Sequence, residues 1–203
     1  DTSFNPFEVG SKITIVPRNF TLETQSKPWK TKYAFLGINL CGSTLFFDGV
    51  NEKGLAGGLL FLKACTWDKK ENIEKQGLIA INSGEIVTWI LSNFESVSDI
   101  KNNISKVVVT PDDIPSLGEL GKGNPITAHY TFTDKMGESV VLEPTDHGHF
   151  RVFDNNVGVM ANDPTFDWHM TNLANYLQVQ GFNKQQNHLN SKTVITPISN
   201  GTG

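Results

Sequence analysis

Asn162 is the residue in this sequence that is best placed to do chemistry. It follows an apolar run, residues 157–161, and precedes Asp163 and Pro164. Proline lacks an N–H and disfavours helical backbone in the residue before it, so the run must end here. An asparagine side chain carries two N–H donors and one carbonyl, which suits it to hold a developing oxyanion. Taken alone, the pattern favours an asparagine that only turns or caps the chain.

Other combinations of reactive residues are weaker. His147 and His149 have the spacing of a metal-binding pair, but no carboxylate or cysteine cluster accompanies them, so we expect no metal. Asp167 and His169 would point in different directions on a helix. The sequence contains no phosphate-binding loop, dinucleotide glycine motif or nucleophile elbow.

The composition excludes several classes of partner. The net charge is −4 and there is no basic run, which argues against nucleic-acid binding. No apolar run approaches the length of a membrane span, so we expect no membrane contact and a cytoplasmic protein. The two cysteines, Cys41 and Cys65, do not form a disulfide scaffold and are interpreted as buried, reduced thiols.

The elements that must position Asn162 follow from hydrophobic periodicity. Residues 157–161 read as the end of a buried strand, and Thr165 as the N-cap of a helix. Residues 129–133 and 139–143 flank a turn and predict a β-hairpin, which residues 149–153 extend by another strand.

The first half of the chain contains a second block of strands. Strands are predicted at residues 12–17, 33–38, 44–48 and 55–62, with a turn at 49–54, and Gly57 and Gly58 indicate close approach of a backbone or a ligand. Residues 66–82 read as irregular, Ser83 and Ser96 as helix N-caps, and residues 106–127 as loop after a short strand. The pattern predicts an α+β fold whose antiparallel strands stack as two sheets with helices on their faces.

Several blocks together resemble the choloylglycine hydrolase family, which contains conjugated bile salt hydrolases and penicillin V acylases. The blocks are IVPRNF at 15–20, KYA at 32–34, DGVNEKGL at 48–55, HYTFTD at 129–134 with GES at 137–139, and GVMANDP at 158–164 with Trp168, His169, Asn172 and Leu173. They occur in family order at nearly family spacing from one end of the chain to the other.

The resemblance implies an N-terminal-nucleophile hydrolase with a four-layer αββα sandwich of antiparallel sheets and no cofactor. In such enzymes the thiolate of an N-terminal cysteine attacks a linear amide, and the α-amino group of the same residue is the base. By position, Asn162 matches the oxyanion-hole asparagine and Asp1 the aspartate that holds the nucleophile's amine. Phe61 matches a further catalytic position, and Leu62, Ala64, Cys65 and Thr66 match the loop that shapes the acyl pocket.

Two departures from the family pattern matter. Phe61 stands where bile salt hydrolases usually have asparagine and some penicillin V acylases tyrosine, so only its backbone N–H could donate. The nucleophilic cysteine and a nearby arginine would precede Asp1, and a second arginine would follow Gly203. We therefore expect a single domain over residues 1–203 that is incomplete at both ends and inactive as it stands. The polar tail, residues 179–203, matches an arm that reaches neighbouring subunits and implies a homotetramer.

The resemblance leaves the substrate open. The aromatic ring at Phe61 favours penicillin V as the small-molecule amide substrate, with a conjugated bile salt as the alternative. Hydrolysis of acyl-homoserine lactones or other N-acyl signals would use the same machinery. A binding or structural domain without catalytic activity is a rival interpretation if the natural chain begins at Asp1.

Overall fold

The computed structural model describes residues 10–24, 26–40, 42–111, 113, 122–176, 187–191 and 193–195. Residues 1–165 form one compact unit and residues 166–203 another. In the second unit the described elements are helix α4 (Phe166–Ala174) and the antiparallel strands β12 (Asn187–Asn190) and β13 (Thr193–Ile195).

A nine-stranded sheet organises the first unit. Its strands are β1 (Lys12–Val16), β4 (Phe35–Asn39), β5 (Phe46–Asn51), β6 (Ala56–Phe61), β7 (Ile79–Asn82), β8 (Val107–Thr110), β9 (Ala128–Thr133), β10 (Ser139–Asp146) and β11 (His149–Asp154). Their spatial order is β1-β4-β5-β6-β9-β10-β11-β8-β7. Short strands β2 (Thr21–Leu22) and β3 (Trp29–Lys30) pair separately.

Helix α2 (Ile86–Asn93) packs on one face of this sheet. The helices of the first unit are α1 (Lys70–Lys75), α2 (Ile86–Asn93) and α3 (Val97–Asn103), with 3₁₀ turns at Ser83–Glu85 and Ile104–Lys106. Apolar side chains of α2, among them Ile86, Ile90 and Leu91, are completely buried against the sheet. The β7–β8 pair is parallel, and α2 and α3 form the crossover that a parallel pair requires.

A row of glycines lets the helix layer approach the sheet closely. Gly37, Gly49 and Gly57 lie opposite one another on β4, β5 and β6, and Phe132 of β9 continues the row. A Cβ at Gly57 would lie 2.2 Å from the Phe132 ring, and a Cβ at Gly49 would lie 3.0 Å from Leu91 of α2. The close approach predicted at Gly57 is therefore made by a neighbouring strand and its aromatic side chain.

Asn51 joins the β5–β6 turn to the end of α2. Its side-chain nitrogen donates to the carbonyls of Leu91 and Phe94 at 2.9 and 2.7 Å, and its oxygen accepts from Lys53 and Leu55 N–H groups at 3.0 and 3.1 Å. The side chain is buried, so it satisfies four backbone groups that water does not reach easily.

The opposite face of the first strands carries exposed apolar side chains. Ile13 and Ile15 of β1 are 73% and 71% exposed, and they lie opposite Ile38 and Leu36 of β4. Val50 of β5 extends the stripe across a third strand. The alternation along these strands therefore buries only the face on which α2 packs.

Four of the local predictions were wrong. Ser83 is not a helix N-cap but the first residue of a 3₁₀ turn, and Asn82 caps that turn by accepting from the Gly84 N–H. The β5 strand continues to Asn51, so the turn begins at Glu52 and not at residue 49. The segment 66–82 contains α1 and β7. Residues 157–161 are not a strand, and Val159 is 69% exposed.

The loss of that strand has a local cause. The Asn155 side chain accepts from the Gly158 N–H and donates to the Val159 carbonyl, both at 3.1 Å. These bonds offer the backbone an alternative to a sheet ladder. Gly158 adopts a positive φ of 71°, which closes the turn. Asn162 is therefore positioned by contacts other than strand pairing.

Candidate active site

Asn162 and Asp163 lie at the end of β6, where hydrogen bonds join Asn162 to Phe61 and Asp163 to Phe61 and Lys63. The Phe61 N–H donates to Asn162 Oδ1 at 3.0 Å, and the Asp163 N–H donates to the Phe61 carbonyl at 2.6 Å. The Lys63 N–H donates to Asp163 Oδ1 at 2.8 Å. These three bonds hold Asn162 and Asp163 beside the end of the strand.

The sheet leaves this end of β6 open to such partners. On one side β6 pairs with β9 along its whole length, but on the other side it pairs with β5 only from Ala56 to Gly58. The peptide groups of Phe61 that point toward β5 therefore lack a strand partner, and buried or half-buried backbone groups must find one. Asn162 and Asp163 supply it.

The bond from Phe61 fixes which end of the Asn162 amide faces outward. A backbone N–H can only donate, so the atom that accepts from Phe61 must be the amide oxygen. The nitrogen of the amide, with its two N–H bonds, is directed away from that contact. In this arrangement the Phe61 N–H orients Asn162, a role that the sequence did not suggest.

A buried histidine anchors the residue before Asn162. His129 of β9 is completely buried, and its Nε2 lies 2.9 Å from the Ala161 carbonyl. Its Nδ1 lies 3.2 Å from Oε1 of Glu143 on β10, which is also completely buried. Neither residue was predicted from the sequence. A signal was available, because each lies within an apolar strand pattern and ionisable side chains that are buried are usually paired.

The loop after β6 lies against the β10–β11 turn. The Thr66 N–H donates to the Pro144 carbonyl at 3.1 Å, and Thr66 Oγ1 accepts from the His147 N–H at 2.8 Å. Ala64 is exposed, whereas the Leu62 side chain is completely buried. Among the residues predicted to shape an acyl pocket, Leu62 therefore supports the loop from beneath.

Cys65 has the environment of an inert thiol. It is free and half-buried, and its Sγ contacts the carbonyls of Leu62 and Ala128 at 3.2 and 3.5 Å. Burial raises the pKa of the Cys65 thiol to about 11, so almost none of it is thiolate at neutral pH.

Some predictions fall on parts of the chain outside the described residues. Asp1 and Cys41 are among them, and so is most of the predicted arm, residues 179–203. Within the described ranges no group of three or more His, Cys, Asp or Glu side chains could hold a metal ion. None of the helices in that part of the chain is both long enough and apolar enough to cross a membrane.

Comparisons with known proteins place these contacts in a family context. Residues 4–203 match the family described as linear amide C–N hydrolases, choloylglycine hydrolase family. A bile salt hydrolase/transferase of Clostridium perfringens is 33% identical over 201 residues, covering 97% of this chain and 58% of that protein. A penicillin V acylase of Pectobacterium atrosepticum is 30% identical over 168 residues, covering 77% of this chain and 41% of that protein.

A solved structure agrees with the fold. The crystal structure of a mutant conjugated bile acid hydrolase from Clostridium perfringens is similar with a TM-score of 0.70 at 32% identity, covering 99% of this chain and 58% of that one. The chain thus spans little more than half the length of the bile salt hydrolase relatives that it matches.

Proposed function

The chain belongs to the choloylglycine hydrolase family of linear amide C–N hydrolases, and on that premise we propose that the whole protein hydrolyses the amide bond of a conjugated bile salt. The predicted fold class, the αββα fold of N-terminal-nucleophile hydrolases, is confirmed by the similarity to solved members. The β7–β8 pair is the one parallel pair among the described strands of its sheet.

Sequence similarity supports a bile salt over penicillin V. The bile salt hydrolase match extends over 97% of the chain, whereas the penicillin V acylase match extends over 77% at lower identity. This reverses the order that the aromatic ring of Phe61 suggested. A half-exposed Phe61 ring beside Asn162 is apolar surface that suits a steroid acyl group as well as a phenoxyacetyl group.

The observation that carries the catalytic part of the proposal is the Phe61–Asn162 hydrogen bond. It fixes the amide oxygen of Asn162 on the Phe61 N–H, so that an N–H of Nδ2 is the group that would donate to the oxygen of a tetrahedral intermediate. The nucleophile would be an N-terminal cysteine of the whole protein, and Asp1 would hold its α-amino group, as the family resemblance implies. Its thiolate attacks the amide carbon, the C–N bond breaks, the amine leaves with a proton, and water releases the acid.

The test is a substrate comparison on the whole protein. Purified protein is incubated separately with a glycine-conjugated bile salt and with penicillin V, and the released amines are quantified by liquid chromatography and mass spectrometry. We expect a higher kcat/KM for the bile salt. An Asn162→Ala preparation purified in parallel controls for contaminating hydrolases, because its activity should fall about 100-fold or more.

Penicillin V acylase activity is the second candidate, favoured by the aromatic side chain at Phe61. A higher kcat/KM for penicillin V than for the bile salt would establish it and reject the first candidate. Absence of turnover with both amides would reject both and favour a binding role.

A further inference from the structure

We propose that His129 is a positioning residue that holds Asn162 in its productive orientation through the Ala161 carbonyl, with Glu143 locking the imidazole from the other side. The proposal rests on the hydrolase function proposed above and adds to it a pair of residues in the sheet interior. It starts from the bonds of the two ring nitrogens.

The protons on the His129 ring follow from its partners. The Ala161 carbonyl can only accept, so the Nε2 atom 2.9 Å away must carry a proton and donate it. The Nδ1 atom and Glu143 Oε1, 3.2 Å apart, then share one further proton, carried either by the imidazole or by the carboxyl group. In both cases the ring is hydrogen-bonded at both nitrogens and cannot flip without breaking both bonds.

Burial makes this arrangement costly to disturb. The side chains of His129 and Glu143 are both 0% exposed, so water does not replace a lost bond. Both residues lie in central strands of the nine-stranded sheet, β9 and β10, which have neighbours on each side. The imidazole is therefore fixed within the interior of the sheet.

The segment that carries Asn162 has no secondary structure of its own. Residues 161–163 lie between the Asn155–Gly158 turn and the following helix, and none of them belongs to a strand. They bond to two adjacent strands: the Ala161 carbonyl bonds to His129 on β9, and Asn162 and Asp163 bond to the end of β6. Leu60 lies directly opposite His129 in the β6–β9 register, so the two anchors are neighbours.

The two anchors control different features of Asn162. The Phe61 N–H sets the rotation of the amide group, and the His129–Ala161 bond sets where the backbone of Asn162 begins. Misplacing a catalytic group by about 1 Å costs on the order of 100-fold in rate. Removing the His129 donor should therefore act mainly on kcat, since the tetrahedral intermediate needs the donor more than the bound substrate does.

The test uses His129→Leu and His129→Gln in the whole protein, with Asn162→Ala as the reference for a lost donor. Leucine removes the hydrogen bonds of both ring nitrogens, whereas the glutamine amide can still donate to the Ala161 carbonyl. We expect His129→Leu to lower kcat about 100-fold and to change KM by less than about threefold. The kcat of His129→Gln should be at least about tenfold higher than that of His129→Leu. His129→Leu activity within about threefold of the parent overturns the proposal, as does a glutamine variant no better than leucine.

A second readout separates positioning from loss of structure. Alkylation of the nucleophilic cysteine by iodoacetamide forms no oxyanion, so its rate should stay at the parent value in His129→Leu. Equal losses in alkylation and hydrolysis would mean general damage to the site and overturn the proposal.

A third readout does not need turnover, and so distinguishes failure of this proposal from failure of the proposed function. The Phe61 backbone and Asn162 side-chain amide resonances are followed by ¹⁵N NMR. We expect both to shift in His129→Leu and to return toward the parent positions in His129→Gln. Unchanged resonances in His129→Leu would overturn the positioning role whether or not the protein hydrolyses an amide.

Discussion

Replacing Asn162 by aspartate and by alanine should change stability and activity in opposite orders. Aspartate keeps an oxygen where Oδ1 accepts the Phe61 N–H at 3.0 Å, whereas alanine removes that acceptor. We therefore expect Asn162→Ala to lose about 0.5–1.5 kcal/mol of stability and Asn162→Asp to stay within about 1 kcal/mol of the parent. Neither variant retains the N–H donors of the amide.

The activities should rank the other way. Loss of an oxyanion donor costs about 100- to 1,000-fold in kcat, which sets the expectation for Asn162→Ala. The introduced carboxylate would also lie about 4 Å from the developing oxyanion, where two like charges repel by about 4 kcal/mol at an effective dielectric constant of 20. Asn162→Asp should therefore be about 1,000-fold slower than Asn162→Ala.

The assay is kcat for amide hydrolysis by the whole protein, paired with urea unfolding followed by circular dichroism. Asn156→Asp is the matched control, because Asn156 is an exposed asparagine of the same segment and the substitution adds the same charge. The activity ratio of Asn162→Asp to Asn162→Ala should rise as the pH falls, since a protonated carboxyl group can donate. An aspartate variant as active as the alanine variant at neutral pH would refute the reasoning.

Three further predictions concern packing and reactivity in the intact protein. Asn51→Leu leaves four backbone groups without their hydrogen-bond partner. The free energy of unfolding, measured in urea, should therefore fall by about 3–6 kcal/mol. A loss below about 1 kcal/mol would contradict this estimate of the four hydrogen bonds. Gly57→Ala puts a Cβ 2.2 Å from the Phe132 ring and should lower the free energy of unfolding by about 1–3 kcal/mol in the same assay. Gly58→Ala is the control and should lower it less, because the nearest atom to its Cβ is 3.0 Å away. A larger loss in Gly58→Ala than in Gly57→Ala would contradict the prediction. Cys65 should resist iodoacetamide at pH 7.5 and react increasingly as the pH rises toward about 11, because burial raises the pKa of the thiol. The modified fraction is measured by peptide mass spectrometry. Complete labelling at neutral pH would show that the thiol does not have this buried environment.

Local patterns in the sequence predicted the elements whose contacts are themselves local. The hairpin of β9 and β10 follows from two alternating runs around a turn, and its residues pair in register from Ser139–Thr133 onward. Ser96 caps α3 by accepting from the Asp99 N–H at 3.1 Å, as the spacing of the two residues predicted. In both cases the partners lie within a few residues of each other.

The apolar run before Asn162 shows where such reasoning fails. Periodicity cannot tell a buried apolar run from one whose residues are turned to solvent by a neighbouring side chain, and Asn155 does this to Val159. The resemblance identified Phe61 and Asn162, which lie 101 positions apart, but not the bond between them. His129 and Ala161 are 32 positions apart, and nothing local in the sequence pairs them.

The attachment of Ala161 and Asn162 to two strands has a consequence for how substrate range could diverge in evolution. The Asn162 amide bonds to β6 and the preceding Ala161 carbonyl bonds to β9, whereas the loop over residues 64–66 contacts Pro144, His147 and the carbonyls of Leu62 and Ala128. Substitutions, insertions and deletions in that loop can therefore accumulate without moving the Asn162 amide. Under the proposed function, such separation would allow a lineage to exchange one acyl group for another through a series of small steps, each of which would preserve bond cleavage.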